Sequence, residues 1–466
     1  MREILLHDTR SGRSVPLRPR SGRRVGIYAC GPTVYGPVHV GNARPFVVFS
    51  LLARFLRHEG LEPRLVINVT DVNDKIYDAA QAAGVASERL AREMTERYVA
   101  ETDELGLGRP YAEPLASETI PAIVALVEEL VARGHAYPAE GDVYFDVRSF
   151  PGYGSLSHRD VEAMDQGEGV EGAARKRDPL DFALWKATKP GEDTSWESRW
   201  GPGRPGWHIE CSAMAEALLG VGFEVHGGGS DLVFPHHENE AAQTEAARGS
   251  PLAAIWMHNG MVRAEKKASE SKEKMSKSLG NVFLLGEALA AWGRDPLIMY
   301  LCGAHYRKPI DYSERALREA GRRVDRVREV ARRLAPGASP AALAPLRERF
   351  FAALANDFNT AEALNGAVFP WIREVNARLD AGEVVGSEDL ETMLDVLGLV
   401  GIVRVKNGTE SGAAQAADPG VRGLVARREQ ARAARDFALA DHLRDELAAR
   451  GWTVRDGPEG PSLVAR

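Results

Sequence analysis

Four residues from two distant parts of the chain have side chains suited to forming a metal site. Cys30 is close to the N-terminus, whereas Cys211, His236 and Glu240 follow far downstream. Two thiolates, one imidazole and one carboxylate are ligands that zinc accepts in proteins. If one ion binds all four, the two segments must meet at one point, which we expect to be the active site.

Two further segments have residues suited to binding a nucleotide. In the first, Cys30-Gly-Pro-Thr-Val-Tyr-Gly-Pro-Val-His39-Val-Gly41-Asn42, glycines and a histidine lie between a predicted strand and a predicted helix. Glycines let a backbone approach a ligand, and a helix N-terminus favours phosphate. The second, Lys274-Met-Ser-Lys277-Ser278, brings two lysines and two serines together. Taken alone, the first segment also fits a helix-capping histidine and the second a basic surface turn.

Composition bounds the class of protein. Of the 466 residues, 44% are hydrophobic and 27% are charged, as in a globular protein, and the length suggests about two to four domains. The net charge of −7 argues against a wholly basic nucleic-acid binder, although arginines are concentrated in 315–333 and 422–450. Such runs occur on solvated helix faces as well as at nucleic-acid sites.

The cysteines and the N-terminus favour a cytoplasmic protein. The three cysteines cannot all form pairs, and the N-terminus does not resemble a signal peptide. No apolar stretch reaches the length of about 18 residues that a membrane span needs. We therefore expect no membrane association, and metal binding or free thiols in place of disulfides. Cys302 has no potential ligand beside it and is interpreted as a core residue.

The elements that position these residues follow the pattern of a parallel α/β sheet. Residues 25–29 are predicted as a buried strand, 43–58 as a helix and 64–69 as a second strand. Further helices are predicted over 87–105 and 117–133.

A change of composition predicts an insertion into this sheet. Residues 134–205 are rich in Gly, Pro, Asp and Trp and include a hairpin-like segment. After the insertion, 223–226 are predicted as a strand, 227–229 as a turn and 235–248 as a helix. From residue 311 the pattern is almost wholly helical, and a small helix–helix–strand unit ends the chain.

The two nucleotide-binding segments resemble the signature motifs of class I aminoacyl-tRNA synthetases. The first is similar to the His-Ile-Gly-His motif with Asn in the last place, and the second is similar to the Lys-Met-Ser-Lys-Ser motif. Four longer segments resemble the cysteinyl-tRNA synthetase family specifically, and the resemblance runs essentially end to end. They are Tyr28-Ala-Cys-Gly-Pro-Thr-Val-Tyr35, Asn68-Val-Thr-Asp-Val-Asn-Asp-Lys75, Trp207-His-Ile-Glu-Cys211-Ser and His226-Gly-Gly-Gly-Ser-Asp-Leu-Val-Phe-Pro-His-His-Glu-Asn-Glu240.

The resemblance implies a Rossmann-like catalytic domain with a connective insertion, a helical bundle and a small anticodon-binding domain. We place them as an N-terminal segment 1–24, a catalytic domain 25–262 with its insertion at about 134–205, a region 263–312 containing the lysine loop, a helical bundle 313–405, a linker 406–420 and an anticodon-binding domain 421–466.

The resemblance also implies the activity and its cofactors. The chain would activate L-cysteine with ATP and magnesium, transfer it to tRNA(Cys), and act as a monomer with one zinc ion. The implied zinc ligands are Cys30, Cys211, His236 and Glu240, the substrate residues are Thr70 and Trp207, and the ATP-site residues are His39, Gly41, Asn42, His226, Asp231, Lys274 and Lys277. Arg432, Asp441 and Asp456 match positions that read anticodon bases.

Helix periodicity agrees with this ligand set. On a helix beginning near Pro235, His236 and Glu240 are four residues apart and share one face. His237 is a poorer partner for this helix and is expected to pack or to orient a neighbour. Glu238 points to a different face.

One departure and two alternatives accompany the resemblance. The segment between Val262 and Lys274 is longer and more polar than the family usually shows, which affects how the lysine loop closes. One alternative is the related ligase of mycothiol synthesis, which couples cysteine to glucosaminyl-inositol and lacks an anticodon-binding end. The other is a non-catalytic binding protein derived from a synthetase, which would have no reason to keep both ATP motifs.

Overall fold

A computed structural model of the chain describes residues 2–163, 173–264, 273–274, 283–399, 419–433, 436–450, 452–457 and 460–465. Its strands are β1 Leu5–Asp8, β2 Arg13–Pro16, β3 Arg24–Ala29, β4 Glu62–Ile67, β5 Ala136–Ala139, β6 Asp142–Phe145, β7 Phe182–Ala187, β8 Gly203–Pro205, β9 Phe223–Gly229, β10 Ala253–Asn259, β11 Val262–Ala264, β12 Glu273–Lys274, β13 Ile310–Tyr312, β14 Trp452–Gly457 and β15 Gly460–Ala465. Its α-helices are α1 Val40–His58, α2 Asp74–Ala83, α3 Ser87–Asp103, α4 Ile120–Ala132, α5 Trp207–Leu219, α6 Glu238–Arg248, α7 Leu285–Trp292, α8 Arg294–Leu301, α9 Glu314–Arg333, α10 Ala344–Ala355, α11 Thr360–Ala363, α12 Phe369–Asp380, α13 Glu388–Val396, α14 Pro419–Ala433 and α15 Phe437–Ala449.

A four-stranded parallel sheet, in the order β10-β9-β3-β4, lies at the centre of the first part of the chain. In β3 every residue after Arg24 is buried, as expected for a parallel strand covered by helices on both faces. Helix α1 packs against β3 and β4, and α5 packs against β3. The predicted parallel α/β fold is confirmed.

Two predictions about this sheet were wrong in detail. Residues 227–229 do not form a turn but continue β9, where they pair with Met257–Asn259 of β10. Glycine is required there because a Cβ at Gly227 would lie 2.2 Å from the Phe49 ring. Strand β4 ends at Ile67, two residues earlier than predicted, because the Thr70 amide donates to the Pro32 carbonyl in the loop after β3.

The insertion folds as its own antiparallel sheet, in the order β5-β6-β7-β8. Its apolar residues pack with helix α4 into a cluster that includes Phe145, Phe182 and Trp185. Strand β8 ends at Pro205 and leads through Gly206 into α5. The insertion therefore holds the N-terminus of the helix that carries Cys211.

The remaining part of the chain is mainly helical. Helices α9 to α13 contribute to the same core as the parallel sheet, and the apolar stripe of α9 faces inward while its arginines face outward. The C-terminal unit consists of α14, α15 and an antiparallel β14–β15 hairpin, so it has one strand more than predicted. The predicted linker, residues 406–420, lies outside the described residues except at its last two positions. No helix in the described part of the chain has both the length and the apolar character that crossing a membrane requires.

Candidate functional site

The structure brings the four predicted metal ligands together. Cys30 follows directly after β3, Cys211 lies on α5, His236 lies two residues before α6 and Glu240 lies in the first turn of α6. The ligand atoms of these four residues all lie within 4.8 Å of one another. All four side chains are buried. Segments from the two halves of the parallel sheet therefore meet at one buried point, as the sequence predicted.

The local backbone explains the orientation of the two ligands near α6. The segment Val233–His237 is kinked at Phe234, whose backbone is extended, and it contains a cis bond between Phe234 and Pro235 before it runs into α6. His236 Nε2 lies 3.1 Å from Glu240 Oε1, at the i, i+4 spacing that was predicted. Glu238 faces away and accepts hydrogen bonds from the backbone of Gly154 and Ser157, which anchors the insertion to α6.

A second set of four residues shares two ligands with the first. Cys30, His226, His237 and Glu240 also have ligand atoms within 4.8 Å of one another. His237 Nε2 lies 3.3 Å from Cys30 Sγ, so this ring contacts a candidate ligand directly. The sequence predicted only that His237 packs or orients a neighbour. The other ring nitrogen of His237 is engaged with His258 at 2.7 Å. We assign His226 and His237 as orienting residues because the set with Cys211 contains both thiols, the softer donors.

Three further histidines lie around the candidate ligands. From the sequence, His208 and His258 had no predicted role, and His226 was predicted to belong to the ATP site. His208 Nδ1 lies 2.8 Å from His236 Nδ1, and His226 Nε2 lies 2.7 Å from Glu240 Oε2. His258 connects His237 to the Thr9 hydroxyl. Five of the 12 histidines in the chain thus surround the site, at positions 208, 226, 236, 237 and 258. Their concentration in and beside the glycine-rich segment was the available signal.

The electrostatics of the cluster favour a bound cation. Among the described residues, the ion pairs of Glu240 are all with histidines. Burial acts to raise the pKa of Glu240, but His226 and His236 outweigh it, so the pKa is lowered. Burial, Cys211 and Glu240 raise the pKa of Cys30 well above its usual range. Burial lowers the pKa of His258 to about 3, which leaves this ring neutral.

The donor set fits zinc. Zinc ligands lie about 2.0–2.3 Å from the ion, so four of them fall within about 4.5 Å of one another. Two sulfurs, one imidazole nitrogen and one carboxylate oxygen are gathered here in a buried site. The second ring nitrogen of His236 and the second oxygen of Glu240 are held by histidines, as is usual for metal ligands.

The first ATP motif forms the N-terminus of α1. His39 caps this helix: its Nδ1 accepts from the Asn42 amide at 3.1 Å, and Asn42 Oδ1 accepts from the His39 amide at 3.2 Å. A Cβ at Gly41 would lie 2.9 Å from the His39 ring, so glycine is needed for this close contact. The capping interpretation and the phosphate interpretation are therefore compatible, because both use the same helix N-terminus.

The other predicted substrate and nucleotide residues occupy different settings. Trp207 stacks on His236 with ring centroids 4.3 Å apart, while Thr70 is 1% exposed beside the loop that follows Cys30. His226 lies within β9, in agreement with the strand predicted for 223–226, and its ring is held by Glu240. Asp231 is exposed at the carboxyl end of β9. A nucleotide contact by either residue stays a prediction.

The lysine loop and the anticodon residues are only partly described. Lys274 belongs to β12, which pairs with β11, but its side chain and the whole of Lys277 lie outside the described residues. Arg432 and Asp441 are exposed on α14 and α15, and Asp441 pairs with Arg444 at 3.2 Å. Asp456 lies in β14, whose side chain at this position is not described. The polar insert before Lys274 is largely outside the described residues.

Comparison with known proteins identifies the family. Residues 16–322 match the family described as tRNA synthetases class I (C) catalytic domain, 349–403 match the DALR domain, and 414–460 match the cysteinyl-tRNA ligase anticodon binding domain. A cysteine–tRNA ligase from Rubrobacter xylanophilus is 45% identical over 468 residues, which are 95% of this chain and 96% of the relative. The cysteine–tRNA ligase from Chromohalobacter salexigens is 44% identical over 469 residues, 98% of this chain and 99% of the relative. The chain belongs to the cysteine–tRNA ligase family.

A solved structure agrees with this family at the level of the fold. The methionyl-tRNA synthetase of Mycobacterium tuberculosis in complex with methionyl-adenylate has a TM-score of 0.57 at 16% identity. The likeness covers 82% of this chain and 90% of that chain. As a member of the cysteine–tRNA ligase family the chain is a class I aminoacyl-tRNA synthetase, which confirms the resemblance. The comparisons do not favour the amino-sugar ligase or a non-catalytic binding protein.

Proposed function

We propose that the chain activates L-cysteine with ATP and transfers it to the 3′ end of tRNA(Cys), with zinc selecting the substrate thiol. The observation that carries this proposal is the gathering of Cys30, Cys211, His236 and Glu240 at one buried point. These four residues would hold the ion. A zinc ion bound there supplies a preference for a thiolate over the hydroxyl of serine, a difference that an apolar pocket reads poorly.

Two side chains would enclose the rest of the amino acid. The Trp207 indole, stacked on the His236 ring, forms a wall that would exclude water from the thiol. The Thr70 hydroxyl would accept a hydrogen bond from the substrate ammonium group. Because Thr70 is fixed by backbone hydrogen bonds to Pro32 and Val34, it keeps a constant position relative to Cys30.

The first step joins the cysteine carboxylate to the α-phosphorus of ATP and releases pyrophosphate. Such a reaction is accelerated by positioning and charge neutralisation and needs no protein nucleophile. The N-terminus of α1, with His39, Gly41 and Asn42, would bind phosphate and ribose groups. Lys277 and Lys274 would neutralise the charge of the departing pyrophosphate together with magnesium.

The second step passes the cysteinyl group to the terminal ribose of tRNA(Cys). The C-terminal unit would bind the anticodon, with Arg432, Asp441 and Asp456 reading base edges. The match of 414–460 to an anticodon-binding family supports this placement. The chain is proposed to act as a monomer in the cytoplasm, where its three unpaired cysteines remain reduced.

Cysteine-dependent exchange of pyrophosphate into ATP tests the proposal. The zinc-loaded protein should catalyse this exchange without tRNA and should then charge a tRNA(Cys) transcript but not glucosaminyl-inositol. Absence of exchange would refute the activation step, whereas transfer to the amino sugar alone would support the mycothiol ligase. Removing 421–466 should preserve exchange and weaken charging; equal loss of both would contradict a separate anticodon unit.

A further inference from the structure

A buried carboxyl group beside the site forms no hydrogen bond of ordinary geometry with the residues that the structure describes. Glu210 is 0% exposed, and neither of its carboxyl oxygens is hydrogen-bonded to any described residue. Leaving a buried polar group unsatisfied is costly, so such a group in a folded protein calls for an explanation. Nothing in the metal cluster uses Glu210.

The position of Glu210 connects it with the amino-acid pocket. It lies three residues after Trp207 on α5, and Cys211 lies four residues after Trp207, so Trp207 is a neighbour of both on the helix surface. Burial raises the pKa of Glu210 well above its usual range, and the Asp71 carboxylate adds to the rise. The Thr70 hydroxyl lies close enough to this carboxyl group to act against the rise, although the two do not form a hydrogen bond of ordinary geometry. Glu210 therefore lies next to the residue that is proposed to bind the substrate ammonium group.

The hydrogen bonds of Thr70 do not determine where its hydroxyl hydrogen points. Its Oγ1 accepts from Asn68 Nδ2 at 3.3 Å. Asn68 cannot reverse this arrangement, because its Oδ1 accepts from the Gly31 amide at 3.0 Å. A threonine hydroxyl has two lone pairs and one hydrogen, so one lone pair and the hydrogen remain. An ammonium group can only donate, so it requires the lone pair and the hydrogen must point elsewhere.

We propose that Glu210 is a positioning residue that accepts the Thr70 hydroxyl hydrogen and thereby turns the free lone pair of Thr70 toward the ammonium group of cysteine. The proposal rests on the proposed function, which makes cysteine the substrate. A carboxyl group has an acceptor oxygen whether or not it is protonated, so this role does not depend on the titration of Glu210. The residue would select substrates that carry an ammonium group beside the thiol.

Two variants of Glu210 separate this role from a general structural one. Glu210→Met removes the acceptor, whereas Glu210→Gln keeps an acceptor oxygen of the same shape. In pyrophosphate exchange, Glu210→Met should raise KM for cysteine about tenfold, the worth of one hydrogen bond to a charged group, and leave KM for ATP unchanged. Glu210→Gln should recover most of the loss. Glu216→Met, on the same helix but paired with Thr244 and Arg248, is the matched control and should leave KM for cysteine unchanged.

Inhibition by 3-mercaptopropionate, a thiol acid without an amino group, gives the second readout. Its inhibition constant and the zinc content should be the same in Glu210→Met and in the unaltered protein. An equal loss of affinity for both thiols, or no change for cysteine, would overturn the proposal. Lack of exchange by the unaltered protein would instead refute the proposed function.

A double-mutant cycle tests whether Glu210 acts through Thr70. Thr70→Val should raise KM for cysteine, and adding Glu210→Met to it should cause no further rise. If the two effects multiply, Glu210 acts independently of Thr70 and the proposal is wrong.

Discussion

Two clusters of ionisable side chains, one buried and one partly exposed, differ in how their charges are balanced. The metal cluster consists of Cys30, Cys211, His236 and Glu240. The ion-pair cluster consists of Asp74, Lys186, Glu192 and Arg204, which join α2 to the insertion sheet. Both are built from residues distant in sequence, but only the second contains lysine or arginine.

The ion-pair cluster is complete without a ligand. Lys186 Nζ lies 2.9 Å from Asp74, and Arg204, whose side chain is 2% exposed, pairs with both Asp74 and Glu192. Burial acts to raise the pKa of Asp74, but Lys186 and Arg204 outweigh it and the pKa is lowered. In the metal cluster, the ion pairs that the described residues form with Glu240 are all with histidines, and Cys30 Sγ lies 3.5 Å from Glu240 Oε1. In the ion-pair cluster, arginine and lysine side chains balance the carboxylates, which suits a structural role. The metal cluster contains no lysine or arginine, which suits a site that binds a cation.

Loss of a thiol should give the largest effect. Cys211→Ser should weaken zinc binding roughly 1000-fold, because each of four ligands contributes several kcal/mol, and should abolish cysteine-dependent exchange. Zinc content after dialysis, measured together with exchange, checks this. Cys302→Ser is the matched control, since Cys302 is also buried but lies outside the cluster. Unchanged metal content in Cys211→Ser would show that the ligand set is wrong.

Breaking the balanced cluster should reduce stability without loss of metal. Arg204→Met leaves Asp74 and Glu192 without their shared cation and should lower the free energy of unfolding by roughly 3 kcal/mol. Urea denaturation provides the measurement, and Arg199→Met, which removes an exposed partner of Glu128, should change it little. If Arg204→Met loses zinc while its free energy of unfolding is unchanged, the two clusters do not have the different roles proposed here.

The overlap of two ligand sets at Cys30 and Glu240 allows a sharper test. If His237 only orients Cys30, His237→Gln should weaken zinc binding about tenfold, as supporting residues do. His236→Gln should weaken it far more, because a ligand is lost. Competition with a chromogenic chelator measures both. The reverse order would assign the ion to the set containing His226 and His237.

A third cluster, around Asp357, is also balanced and predicts a pH dependence of stability. Asp357, 6% exposed, accepts from the Tyr306 hydroxyl at 2.7 Å and from the His7 amide at 2.9 Å. Burial acts to raise its pKa, but these donors and His305 outweigh it and lower the pKa to about 2. Since the unfolded pKa is about 3.9, the stabilisation is present above that pH and is lost as the pH falls through about 2.

Asp357→Asn should therefore cost roughly 1–2 kcal/mol at neutral pH, and the difference from the unaltered protein should shrink as the pH falls from about 4 to about 2. Thermal unfolding across this pH range checks the expectation. Asp325→Asn, at a side chain that is 73% exposed, is the control and should show no such trend. A difference that persists at low pH would contradict the account.

Much of the fold and the ligand set could be predicted from the sequence. The apolar run before Cys30 predicted a buried strand, and the spacing of His236 and Glu240 predicted that their side chains meet, as they do at 3.1 Å. These features depend on local periodicity, which a sequence displays directly. The length of β9 was missed because glycines usually mark turns, and only the close approach of Phe49 explains them in a strand.

The histidines around the ligands could not be assigned from the sequence. His208 and His258 reach the site from α5 and from β10, and their partners lie far away in the chain. Their roles depend on which side chains the fold brings together. The same holds for Glu210, whose unsatisfied carboxyl oxygens among the described residues are visible only when its surroundings are known.

The central claim is that this cluster binds a metal ion that contacts the substrate's own sulfur. Cobalt(II) substituted for zinc reports thiolate ligands through a charge-transfer absorption in the near ultraviolet. Addition of L-cysteine should increase this absorption at saturating substrate, because a further thiolate binds the ion, while L-serine at the same concentration should leave the spectrum unchanged. An identical response to both amino acids, or none to cysteine, would contradict the account.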